Sequence, residues 1–423
     1  MVALLLILMF LFLLLNFPMK VAMIAPPLAI MIIYFPQIPL MMAIQQLIAG
    51  VSAAVLLAVP MFILAADIMC TGKTTKRLLD LMESFVGHLH GGMAITAAAT
   101  CTLFGAISGS TQATLVAIGK PMYGRLVDLG YKDSSAIGLL SYSAIIALLI
   151  PPSISMIMYA VVTGSSVGQL FIAGVGPGLV IFLLVSLYNY FFARQAKLPL
   201  VTKCTWRQKG DSFIKALAPL GFPVIIFAGI YSGTFSPVEA SAVSVLYALI
   251  LEMLVFRSVS CKCLYHIAVS TALVTCVVFI LVSAGQLFSW VISLARIPQM
   301  LMDTTLGSDP SAISILVMVT IFFFIGCMFV DSIVVIIILA PIFYPVAMSA
   351  GIDPIHLGIV VVLQAAVGSV TPPFGCNLFT ASAIYNKKLL TVIKGIPPYV
   401  TISIVISVIV ILFPELSLFL LGR

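Results

Sequence analysis

Four short polar interruptions in an otherwise apolar chain carry the residue types that could do chemistry. Phe104-Gly105-Ala106-Ile107-Ser108-Gly109-Ser110-Thr111 sits halfway along an apolar stretch at 93–119. Glycine and serine there let backbone carbonyls and hydroxyls turn inward, and these are the hard oxygen ligands a sodium ion accepts. The restarting helix also presents an N-terminus, whose unpaired N–H groups and dipole favour an anion. Ile150-Pro151-Pro152-Ser153 interrupts 135–160, and Thr371-Pro372-Pro373-Phe374-Gly375-Cys376-Asn377 interrupts 356–385. Proline removes a helix donor and disfavours helix in the residue before it. Each pair therefore frees carbonyls on one half of a crossing and N–H groups on the other. Asp331 follows Gly326-Cys327-Met328-Phe329-Val330, just past the midpoint of 311–345. An acid at membrane depth is costly and is read first as functional.

These residues suggest two cation sites. Ser108, Gly109, Ser110, Ile150, Pro151 and Ser153 would form the first, and Gly326, Asp331, Thr371, Pro372 and Gly375 the second. Ser110, Ser153 and Asn377 are the candidates for touching a bound solute. Each has a plainer structural reading as well: a small-residue packing contact at 105–111, kinks at the proline pairs and a helix cap at Asp331. Glu239 reads as structural, because Ser236-Pro237-Val238-Glu239 is a capping box with proline at the first helical position. No nucleophile–base set suggests an enzyme, no organic cofactor is implied, and no P-loop points to ATP as the direct drive.

The elements that must position these residues are membrane helices. Of 423 residues, 62% are apolar and only 8% are charged, whereas a soluble domain carries roughly 25% charged residues. Continuous runs of about 20 apolar residues specify helices and not a β-barrel. Candidate spans are 1–17, 21–42, 51–71, 171–193, 213–234, 238–256, 267–291 and 396–420. The first lacks a charged n-region and a small-residue cleavage site, so it reads as a retained helix. The eight cysteines lie mostly in apolar runs as small hydrophobes. The net charge of +7 reads as a topology signal and not as nucleic-acid binding.

If 93–119 and 311–345 are re-entrant hairpins, and 135–160 and 356–385 are broken crossings, the cations sort. All 20 Lys and Arg except Arg296 and Arg423 fall on one side. The positive-inside rule makes that side cytoplasmic and puts both termini outside. Pro121, Gly130, Pro151, Gly174 and Pro177 also correspond to Pro341, Gly351, Pro372, Gly395 and Pro398, at an offset of 220 for the first and 221 for the rest. Asp331 falls opposite Thr111 at offset 220. Lys120, Arg125 and Lys132 face no cation in the second copy between 341 and 354, and Lys387, Lys388 and Lys394 face none in the first. Matching loops of opposite bias should lie on opposite sides of the membrane, the mark of inverted repeats in secondary transporters. The expected fold is an all-α polytopic membrane protein with inverted repeats at 60–193 and 267–423, scaffold helices at 1–59, and a basic loop with two linking helices at 194–266. No Lys or Arg lies in a span core, so an anionic solute would rely on helix N-termini, polar side chains and co-bound cations. The rival function, a membrane subunit of an ion-pumping or redox complex, would need charges deep in several spans.

Gly105–Ser110 (GAISGS), Ile150–Ser153 (IPPS), Leu170–Gly178 (LFIAGVGPG), Ser236–Ala240 (SPVEA) and Val370–Gly375 (VTPPFG) resemble the large membrane subunit of the tripartite ATP-independent periplasmic (TRAP) transporters. The likeness runs from about Pro60 to the C-terminus. It departs at Ser236–Ala240, where the family has T-P-T-E-A, and at 16–20, where the family is glycine-rich. The resemblance implies a bacterial inner-membrane subunit acting with a small four-helix membrane subunit and a periplasmic substrate-binding protein. It implies sodium-coupled uptake of an organic acid such as a C4-dicarboxylate or sialic acid by an elevator movement. It also implies sodium at the first hairpin with the first Pro-Pro break, and at the second hairpin with the Thr-Pro-Pro break.

Overall fold

The computed structural model describes residues 2–15, 17–297, 300 and 311–423. Every regular element among them is helical, one of the two ways in which a chain pairs its backbone where lipid offers it no partner. Two groups of helices make up most of the molecule, and Val167–Gln195 and Pro397–Leu412 pack on the second of them.

The first group is a frame of helices: Val2–Leu14, Met19–Tyr34, Leu40–Val51, Ala58–Thr71, Trp206–Tyr231, Pro237–Leu249 and Cys261–Leu294. Cys261–Leu294 packs on Leu40–Val51, Met19–Tyr34 and Ala58–Thr71, and Pro237–Leu249 packs on Ala58–Thr71. Gly50 allows one of these approaches, because a Cβ there would come within 2.7 Å of the Gln286 Cβ. The single span expected at 21–42 is instead two helices. The first stops at Tyr34 and the second starts at Leu40, because Pro36 and Pro39 disfavour helix in the residues before them. The capping box at Ser236 forms as read from sequence: the Glu239 carboxylate accepts from the Ser236 N–H at 2.7 Å, and the Glu239 N–H donates to the Ser236 hydroxyl.

The second group holds the four interruptions. The first hairpin runs through Gly92–Ser108, turns at Gly109-Ser110, and returns by Thr111–Thr114, a wide turn at Leu115–Gly119 and Lys120–Asp128. The first crossing is Asp133–Ser143 with Ala144–Leu148, broken before Ile154–Thr163. The second hairpin is Ala312–Phe329 and Ser332–Ser349, and the second crossing is Pro354–Gly368 and Cys376–Tyr385. Both Pro-Pro peptide bonds are cis. Packing follows one rule in both repeats. The half of each crossing before its break lies on the inbound arm of its own hairpin, and the half after the break lies on the outbound arm of the other hairpin. The two repeats are therefore interlocked and not side by side.

The ends of this bundle differ in chemistry. At one end Arg125 pairs with Glu83, Lys387 pairs with Asp133, and Arg77 donates to the Lys215 carbonyl. At the other, Arg423 pairs with Asp353 and the Tyr159 hydroxyl donates to the Pro354 carbonyl. The open end of the first hairpin lies at the basic face and that of the second at the opposite face, which is the inverted arrangement. Between Ala58–Thr71 and the first hairpin lies an amphipathic helix, Thr74–Val86, that packs on both Trp206–Tyr231 and Gly92–Ser108. It joins the frame to the interlocked repeats.

Candidate functional site

Each interruption ends where a helix restarts, and three of the four restarts are capped by a side chain. The Ser110 hydroxyl accepts from the Ala113 N–H, the Ser153 hydroxyl from the Met156 N–H, and Asp331 Oδ1 from the Ile333 N–H at 3.0 Å. The fourth restart, at Cys376, follows Gly375, whose small size lets it lie against the Ser369 carbonyl and the Thr371 amide. Ser110 and Asp331 are thus the equivalent caps of the two hairpins, at offset 221. The structure corrects the pairing of Asp331 with Thr111 by one residue, to the offset of the anchors from Gly130 onward, while Pro121 and Pro341 in the same hairpins stay at 220.

The four restarts converge on a cavity of about 50 Å³. Gly109, Ser110, Thr111 and Gln112 line it from the first hairpin, Asp331 and Ser332 from the second, Ser155 from the first crossing and Cys376 from the second. Four helix N-termini therefore point their unpaired N–H groups towards one small space, which favours negative charge there. No Lys or Arg lines it.

The segments that hold the residues expected at the first cation site are brought together by this packing. Gly109 adopts φ +58°, and any Cβ there would collide with the Pro152 carbonyl oxygen. The hairpin tip thus rests directly on the first proline break. Across the tip the Ser108 hydroxyl bonds that of Thr114 at 2.7 Å. Ile150, Pro151 and Ser153 are all buried beside it. The five residues expected at the second site are divided. Asp331 faces the cavity, whereas Gly326, Thr371, Pro372 and Gly375 do not line it. The Gly326 carbonyl accepts from the Val330 N–H, and the Thr371 hydroxyl donates to the Val367 carbonyl at 2.8 Å. Pro373 and Phe374 are exposed, and Phe374 lies between Phe329 and Phe379.

Of the three residues expected to touch a solute, only Ser110 lines the cavity. Ser153 is fully buried behind its cap. Asn377 is also fully buried and is used as a strut. Its Oδ1 accepts from the Thr111 hydroxyl at 2.9 Å, and its amide nitrogen donates to Ser369 Oγ. It ties the first hairpin's tip to the second crossing's break. Thr111, Gln112, Ser155, Ser332 and Cys376 were not among the residues expected to line the site. All five lie in the first turn after a break, a positional signal that the sequence does contain.

A multi-pass helical membrane protein with paired hairpins, proline-broken crossings and a site at their meeting point belongs to the class of secondary transport permeases. Residues 6–416 match the family described as "Tripartite ATP-independent periplasmic transporter, DctM component", and the chain belongs to that family. It is 49% identical to the ectoine/5-hydroxyectoine TRAP transporter large permease protein UehC of Ruegeria pomeroyi, over 97% of this chain and 96% of that one. It is 50% identical to the ectoine TRAP transporter large permease protein TeaC of Halomonas elongata, over 89% and 88% of the two chains. Identity to the C4-dicarboxylate TRAP transporter large permease protein DctM of Pseudomonas aeruginosa is 39%, over 86% and 85%. The crystal structure of the Alcanivorax borkumensis YdaH transporter shares the fold, with a TM-score of 0.61 at 14% identity over 89% of this chain and 88% of that one.

Proposed function

We propose that this subunit moves a small carboxylate-bearing solute into the cell together with sodium, in a bacterial inner membrane with both termini periplasmic. The observation that carries this reading is the convergence of four capped or glycine-led helix starts on one cavity that no Lys or Arg lines. A carboxylate is drawn to those N–H groups. Sodium would sit on the oxygen-rich backs of the breaks, at Ser108-Gly109-Ser110 with Ile150-Pro151-Ser153, and at the second hairpin's turn with Thr371-Pro372-Gly375. The two relatives named for ectoine are about half identical to this chain, which puts ectoine and 5-hydroxyectoine ahead of dicarboxylates or sialic acid as the solute. A periplasmic binding protein would deliver it, and a small four-helix membrane subunit would complete the permease. The frame would stay fixed while the interlocked repeats move as an elevator, with the joint at Thr74–Val86.

The test is uptake of labelled ectoine into proteoliposomes that hold all three components. Uptake should need an inward sodium gradient and no ATP. Equal uptake in sodium-free buffer with only a proton gradient defeats the coupling. Ser110→Ala and Thr371→Ala should each move the sodium activation curve to higher concentration. One lost hydroxyl costs roughly 1–3 kcal/mol, a shift of about fivefold to a hundredfold.

A further inference from the structure

The cavity where the four breaks meet has an unusual charge inventory for a site that receives carboxylates. Its one carboxylate is Asp331, and its other titratable group is the Cys376 thiol. Asp331 Oδ1 is held by the Ile333 N–H, and no described side chain donates to Oδ2. Among the described residues the ion pairs are Arg125–Glu83, Lys387–Asp133 and Arg423–Asp353, all at the ends of the bundle. Asp331 has no cationic partner among them. An acid held ionised at this depth needs a compensating positive charge.

Two sources could supply that charge, a sodium ion or the solute. The placement of Asp331 separates them. Its expected companions in the second cation site, Thr371 and Gly375, do not line its cavity, and the Thr371 hydroxyl is turned back onto Val367. Asp331 instead shares the cavity with Ser110, Thr111 and Gln112 across from it. A dicarboxylate would add two negative charges to the one already present, in a space of about 50 Å³ that no side-chain cation lines. A solute with one carboxylate and one cationic group would place its carboxylate on the helix starts and its cation on Asp331. Gln112, whose amide both donates and accepts, can serve either group.

We infer that Asp331 is the counter-ion for a cationic group of the solute, so that the site takes zwitterions in preference to dianions. This deepens the transport reading and rests on it. The two are tested apart by measuring binding without transport. The purified large and small subunits are titrated in saturating sodium with ectoine, whose amidinium and carboxylate are both charged near neutral pH, and separately with succinate. Melting temperature is the readout, with sodium alone as the reference. Wild type should be stabilised by ectoine at concentrations at least tenfold below those needed for succinate. Asp331→Asn and Asp331→Ser both keep a capping side chain, so the helix start should survive. Both should retain the stabilisation by sodium, lose at least tenfold in apparent affinity for ectoine, and bind succinate as well as wild type or better. Ectoine affinity unchanged in both variants overturns the inference. So does loss of the sodium response in both, which would make Asp331 an ion ligand. Failure of the transport reading looks different: wild-type proteoliposomes would show no sodium-driven uptake at all.

Discussion

Glu252 is a buried acid that the sequence did not single out, and replacing it tests the physical account of how the frame is joined to the interlocked repeats. Its side chain is wholly buried. The carboxylate accepts from the Lys73 N–H and the Thr74 N–H, each at 3.1 Å, from the Thr74 hydroxyl at 2.6 Å and from the Ser258 hydroxyl. It thereby supplies the N-terminal cap of Thr74–Val86 from the neighbouring frame helix. Gly72 leaves the room, since a Cβ there would collide with the carboxylate. Glu252→Ala strands the Thr74 N–H and hydroxyl, and Thr74 has no exposed surface through which water could replace the lost acceptor. Two unsatisfied buried donors cost roughly 2–6 kcal/mol, before the lost attraction between the carboxylate and the helix dipole is counted. Thermal melting of the purified protein in detergent should show a fall of about 5 °C or more. Glu239→Ala removes an acid from the exposed capping box at Ser236 and should lower melting by less. If Glu252→Ala melts with wild type, or Glu239→Ala falls further, the buried-cap account of this joint is wrong.

Three further outcomes are expected. Gly109→Ala should abolish uptake while protein still reaches the membrane, because the left-handed backbone costs an L-residue about 1–2 kcal/mol and the new Cβ strikes the Pro152 carbonyl. Gly351→Ala, at φ +72° with open space around it, bears the same backbone cost without the collision and should keep uptake. Equal loss in both would put the effect in backbone strain alone. In a cysteine-free background, a cysteine at Gln208 should be labelled only from the cytoplasm and one at Thr234 only from outside; labelling of both from one side refutes the orientation. The Lys387 bond, and then that of the Tyr123 hydroxyl, hold the Asp133 carboxyl below its ordinary range, while Asp133 raises Lys387. The stability from a lowered acid is present above its unfolded value and lost as pH falls through the folded one. That from a raised lysine is lost only as pH rises through its folded value. The pair's contribution, read as the melting difference between wild type and Lys387→Met, should stay flat from pH 5 to about 9 and decline progressively as pH drops below about 4. A steep change between pH 6 and 8 would contradict it.

Much of the fold and part of the site are legible without coordinates. Apolar length, the proline pairs and the distribution of Lys and Arg are local or one-dimensional properties, and they sufficed for the helical membrane class, the two hairpins, the two broken crossings and their inversion. The two segments named for the first cation site also meet, since both are breaks that must find partners for freed backbone groups. Proline punctuation still misled at 21–42, where hydropathy ran on through Pro36 and Pro39 and hid two shorter helices.

Which side chains meet is a different kind of information. A residue after a break faces the cavity or the core according to helical phase, about 100° per residue. A one-residue shift therefore exchanges Thr111 for Ser110 as the partner of Asp331, and no local pattern separates offsets of 220 and 221. The interlocking of each crossing with both hairpins makes Asn377 a strut to Thr111 and brings Gln112 and Cys376 into one wall. Burial of Glu252 depends on Gly72, 180 residues earlier in the chain. The sequence by itself determined what kinds of helix break occur and where, because proline and glycine act on their own backbone. Only the tertiary structure decided which breaks share a cavity and which acid faces it, because those depend on how whole helices pack.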